Sequence, residues 1–134
     1  MNLTQAEIAI YTKIGQFSHP DTAIVIDNQP TLDGKPFTPD KDKPWCRVSV
    51  NYGDSRIVAI GNGPCKRNFG IISIQCFVPK NTGTLDMTNL CDAWDAHLKN
   101  FESSHLQVQV VHAPQTVNDI DFYAKIIRVE FTVN

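Results

Sequence analysis

The chain has 134 residues, 42% hydrophobic and 19% charged, which fits one domain over 1–134 with a core that needs no metal or disulfide staples. A formal net charge of −2 with dispersed basic residues argues against nucleic acid as the main partner, because phosphate binding runs on clustered Lys and Arg. No apolar run is long enough to span a bilayer, and the N-terminus carries an apolar stripe without a basic leader, so neither membrane nor secretory signal is expected.

Leu3 to Ile14 predicts a helix: Thr4 and Glu7 fit a capping box, and Ala6, Ile10, Ile14 and then Phe17 recur at helical spacing before Gly15 stops the run. Thr22 to Ile26 is β-branched enough for a strand. Asp27 to Pro44 then holds four prolines, one glycine and alternating Lys and Asp, and predicts a long exposed loop.

From Trp45 to Tyr52, Cys46, Val48, Val50 and Tyr52 alternate with Trp45, Arg47, Ser49 and Asn51, as in an antiparallel strand buried on one face. Gly53-Asp54-Ser55 turns the chain and Arg56 to Ile60 is expected to return as the hairpin partner, ended by Gly61-Asn62-Gly63-Pro64. Cys65 to Asn68 reads as a second, basic loop. A strand follows from Gly70 to Pro79, with Ile72, Ile74, Cys76 and Val78 on one face.

After the turn at Lys80 to Gly83 comes the strongest periodicity in the chain. Met87, Leu90, Cys91, Trp94, Leu98 and Phe101 form one apolar stripe, while Asp86, Asn89, Asp92, Asp95 and Lys99 take the solvent side. Leu106 to His112 alternates as a strand, Ala113 to Asp119 reads as a loop, and Phe122 to Val133 predicts a long final strand. The order implies an α+β fold, a mostly antiparallel sheet with two helices on one face.

Catalytic and metal signatures are weak. The cysteines at 46, 65, 76 and 91 form no CxxC pair; Cys46, Cys76 and Cys91 fall on apolar faces, and the simplest reading is a reduced, cytoplasmic protein. Of the histidines His19, His97, His105 and His112, no two are spaced as ligands on one helix. Ser103-Ser104-His105 with Asp119 and Asp121 lacks a GxSxG elbow, and Cys65, beside Lys66 and Arg67, is more simply a loop thiol than a nucleophile. No catalytic residue, metal or cofactor is expected. Phe37 and Trp45 leave two readings open: exposed aromatic anchors beside Arg47 and Arg67, or rings folded back under the loop.

Several stretches together resemble the tail terminator and tail-completion proteins of tailed phages. These are Pro44-Trp45-Cys46-Arg47-Val48, Ile60-Gly61, Arg67-x-x-Gly70-Ile71, Phe77-x-Pro79, Gly83 and the helix carrying Phe101. The resemblance implies a small α+β subunit that closes as a homo-oligomeric ring, a hexamer by analogy, on the head-proximal end of the tail tube. It would stop tube growth and offer a surface to a head-completion or neck protein, with assembly in the host bacterial cytoplasm and residence in the virion. The expected contact residues are Phe37, Lys41, Lys43, Trp45, Arg47, Lys66, Arg67 and Phe69, and the loops 27–44 and 61–69 are the expected contact regions. The last strand is expected to lend an edge to a neighbour. Another phage neck or minor tail component is the nearest rival, and a small enzyme or ligand-binding domain a more distant one.

Overall fold

The computed structural model describes residues 1–31, 33–53, 56–59 and 65–134, with backbone alone for 56–59 and 65–66. The predicted turn at Asp54-Ser55, Ile60 and the Gly61 to Pro64 stretch lie outside the described residues.

Helix α1 spans Leu3–Gly15, and its capping box is two residues earlier than the sequence suggests. Asn2 is the N-cap: its Oδ1 accepts from the Gln5 N–H at 2.8 Å, and its own N–H donates to Gln5 Oε1 at 2.9 Å. Asn2 has the extended backbone a cap requires, whereas Thr4 is already helical. Glu7 is thereby left to accept from the Tyr52 hydroxyl at 2.8 Å, tying α1 to the sheet.

The chain continues through β1 (Ala23–Ile26), β2 (Trp45–Tyr52), β3 (Arg56–Ala59), β4 (Cys65–Pro79), α2 (Leu85–Leu98), β5 (Glu102–Ser103), β6 (Leu106–Val111), β7 (Gln115–Val117) and β8 (Phe122–Val133). These strands form a mixed sheet in the order β1-β2-β4-β8-β6-β5, with β3 added on β4 and β7 on β8. The one parallel pairing among the described strands is β1 with β2, Ala23 opposite Trp45. The segment 27–44 carries the chain back to the starting end before β2 begins, and a crossover is what a parallel neighbour demands.

Several strand expectations need correction. The partner of β3 is β4, with Arg56 opposite Arg67, because β4 is 15 residues long and β2 pairs with only 70–77 of it. The predicted basic loop at 65–68 is therefore the start of β4. Two short strands, β5 and β7, escaped a reading based on periodicity, being two and three residues long. Strand β8 is no edge: β4 takes one side and β6 and β7 the other, so it has no open backbone to lend a neighbour. Its 12 residues alternate apolar side chains on both faces, as suits a central strand.

Both helices lie on one face of the sheet. Ala6, Ile10 and Ile14 of α1 and Met87, Leu90, Cys91, Trp94 and Leu98 of α2 share one buried cluster with Val48, Ile72, Ile74, Ile127, Val129 and Phe131. Phe17 stacks on Trp94 with ring centroids 3.6 Å apart, and the Trp94 Nε1–H donates to Cys46 Sγ at 3.4 Å. Gly83, at φ 84°, and Asn100, at φ 60°, take the left-handed backbone that brings the chain into and out of α2.

The Tyr52 hydroxyl is held neutral in the folded state, first by burial and then by its bond to Glu7, so its pKa lies well above the ordinary tyrosine value. An unfolded tyrosine ionises near about pH 10. The unfolded chain thus loses this proton first, and the stability is complete below about pH 10 and falls as pH rises beyond it. Tyr52→Phe is expected to cost about 1 kcal/mol at neutral pH through the lost hydrogen bond. It should also flatten the alkaline limb of a melting-temperature series, and an unchanged limb would assign that loss to another group.

Candidate interaction surface

The second sheet face is built from the alternate residues of β2, β4, β8 and β6, and no helix covers it. At one end the segment 27–44 folds over it: Trp45, Phe77, Phe122 and Ala124 form a second buried cluster, with Val25, Phe37 and Val117 packed against it. Trp45 is only 5% exposed, stacked on Phe77 at 4.1 Å and met by Phe37 at 5.3 Å. Of the two readings left open, the structure takes the one in which these rings pack under the loop. Trp45 is therefore no exposed anchor; its side chain gains more from the aromatic cluster than from solvent. Its Nε1–H has no hydrogen-bond partner among the described residues.

Arg47 is exposed and lies over the Trp45 ring at 5.3 Å. Lys41 and Lys43 are exposed in the covering segment, and Lys41 reaches Asp121 at 3.5 Å, fastening that segment to the turn before β8. Phe37 is half-buried, and its ring is the segment's aromatic contact with the second cluster. Phe37→Ala is expected to free the segment and raise tryptic cleavage after Lys41 several-fold, with melting temperature little changed. Cleavage at the wild-type rate would show that the prolines alone hold it.

The other candidates sit at the far end of the face, a distance of about 24 Å along β2 by the rise of an extended strand. Arg67 is half-buried, its Nε–H donating to Asn134 Oδ1 at 2.7 Å, and Phe69 is half-buried. Both line a cleft of about 490 Å³ with Asn51, Ile71, Gln109 and Thr132. The side chain of Lys66 lies outside the described residues. The expected contact residues thus divide into two groups at opposite ends of one surface.

Between them run rows of which the sequence reading singled out Arg47 alone. In register across the sheet stand Arg47, Gln75 and Ile126; then Ser49, Ser73 and Arg128; then Asn51, Ile71 and Glu130. The alternation of Arg128, Glu130 and Thr132 in the last strand is the signal that could have marked them.

The candidate catalytic groups stay apart from this face or are occupied. Cys46, Cys76 and Cys91 are buried together, and hydrogen bonding to Cys46 and then to Cys91, with burial, drives the Cys76 thiol pKa far up, which keeps it protonated. The Cys65 side chain lies outside the described residues. Asp119 Oδ1 accepts from the Asp121 and Phe122 N–H groups at 2.9 and 3.0 Å, a turn-stabilising role. A ring nitrogen of His97 lies 2.6 Å from the Lys13 carbonyl oxygen, and His112 pairs with Glu130 at 2.6 Å. Among the described residues no three His, Cys, Asp or Glu side chains converge as a metal site, and no helix is long and apolar enough to cross a membrane.

Fold and surface together define a class, a small α+β protein with helices on one side of a mixed sheet and, on the other, a face that segment 27–44 covers at one end. The sequence matches the family described as phage tail terminator protein over residues 9–131, and the chain belongs to that family. No curated protein matches it. A solved structure that carries no descriptive name superposes over 100% of this chain and 96% of its own, with a TM-score of 0.72 at 16% identity, and is similar in fold.

Proposed function

We propose that this chain terminates the tail of a tailed phage. In this reading it closes as a homo-oligomeric ring, a hexamer by family analogy, on the head-proximal end of the tube, stops polymerisation of the tube protein and presents a joining surface to a head-completion or neck protein. The match to the tail terminator family across nearly the whole chain carries the reading. It acts by docking, without cofactor or catalysis, and its work is geometric: a ring needs two different patches per subunit that meet and close. The two ends of the open face, with segment 27–44 at one and Arg67 and Phe69 at the other, supply contacts toward tube and head.

Electron microscopy of particles made by the phage or prophage with this gene silenced tests the reading. Overlong, headless tubes are expected. Tails of normal length left unjoined to heads would assign a neck role instead, and infectious particles of normal form would overturn an assembly role altogether.

A further inference from the structure

The middle of the open sheet face has a charge sign of its own. Arg47 and Arg128 are exposed there and have no ion-pair partner among the described residues, and Glu130, one row further along the same face, has its Oε2 2.6 Å from a ring nitrogen of His112. Between the two arginines lie the short side chains of Ser49 and Ser73, directly opposite each other on β2 and β4, which leave a shallow floor. On the opposite side of the subunit the acidic residues of α2 lie ahead of a single exposed lysine, Lys99. The solvent side of α2 presents Asp92 and Asp95, exposed and likewise without an ion-pair partner among the described residues, with exposed Ala96 beside them. Four turns of helix at about 5.4 Å each give this ridge a length close to that of the sheet face.

We infer that the open sheet face of one subunit receives the outer face of α2 from a second copy, Arg47 and Arg128 meeting Asp92 and Asp95 over the Ser49–Ser73 floor. The contact rests on the ring reading above and gives it its two patches. It is heterologous, since the basic and acidic surfaces are different parts of one chain, and a contact of this kind forms a ring when the rotation from copy to copy closes. The small side chains on both partners permit close approach, and the guanidinium groups supply forked donors for the carboxylates. A second copy is the occupant that complements this charge using surfaces already present in the chain.

Four plasmid alleles in the silenced phage test this: wild type, a face variant Arg47→Glu with Arg128→Glu, a helix variant Asp92→Lys with Asp95→Lys, and the chain carrying all four changes. Each reversal alone brings like charges together and should lower infectious titre at least about tenfold, with overlong tails. The combined chain restores opposite charges at every contact and should recover most of the titre. A second measurement does not depend on charge reversal: Ser73→Cys with Ala96→Cys should give an oxidation-dependent ladder of cross-linked subunits in purified tails, and neither single cysteine should. A silencing defect that all four alleles correct, a combined chain that folds and still fails, or tails without the ladder would each overturn the contact. A face variant that fails while the helix variant complements would assign the sheet face to tube or neck. Tails of normal length on silencing overturn the terminator reading instead.

Discussion

Trp94→Ala is expected to lower the free energy of unfolding by about 4 kcal/mol, read as a shifted urea midpoint at constant slope. Trp94 is 0% exposed and sits where α2 faces both the end of α1 and β2. Its ring is parallel to Phe17 within 7° at 3.6 Å, meets His97 edge-on at 6.2 Å, and places its N–H on Cys46. Alanine would leave a cavity against three elements at once, and two of them are helices that cannot close on it independently. A domain of this size has only about 5–15 kcal/mol in total, so the variant should lie near the limit of folding. Trp45 gives the contrast. Its N–H is unpaired among the described residues, so Trp45→Phe should be milder than Trp94→Phe, which removes a paired donor. Equal losses would show that ring volume alone decides both sites.

Gly70→Val should cost about 3 kcal/mol by overpacking. A Cβ at Gly70 would come 2.3 Å from Cζ and 2.7 Å from Cε1 of Phe131, and 2.9 Å from the carbonyl oxygen of Asn51. Phe131 is directly opposite on β8 and is 1% exposed, so its ring cannot swing away; Asn51 is backbone of β2, fixed by the ladder. The missing side chain is therefore the space in which Phe131 lies across the sheet, against Tyr52 on the other side at 6.1 Å. Pairing Gly70→Ala with Phe131→Leu should recover part of the loss, because neighbours that share one space couple strongly. Additive losses in chemical denaturation would mean that the backbone contact with Asn51 dominates.

Much of the architecture is legible in the sequence where one periodicity holds over many residues. The stripe from Met87 to Leu98 leaves no alternative to a helix buried on that side, and the alternation in β2, β4 and β8 names the faces correctly. The failures are local or pairwise. Asn2 displaces Thr4 as the cap because caps depend on backbone dihedrals that composition does not reveal. β3 pairs with β4 and β8 becomes central because strand partnership is a long-range choice, and alternation is the same for an edge and an interior strand of mixed polarity. The candidate surface shows the same division. The eight expected contact residues were chosen for being aromatic or basic near loops; tertiary structure buries Trp45, ties Lys41 to Asp121, and sets Arg67 and Phe69 about 24 Å along β2 from its Trp45 end.

By itself the sequence determined the α+β class, the two helices, the core residues of four main strands and the resemblance to a tail terminator that the family match bears out. These follow from side-chain periodicity and from short local signals, which every residue carries along with it. Only the tertiary structure decided the strand order, the parallel seat of β1, the second aromatic cluster beneath segment 27–44 and the placing of exposed Arg47 and Arg128 on one side and exposed Asp92 and Asp95 on the other. Those depend on which distant segments meet, a matter of closing loops and excluding water between particular faces, and no single stretch of chain contains that information.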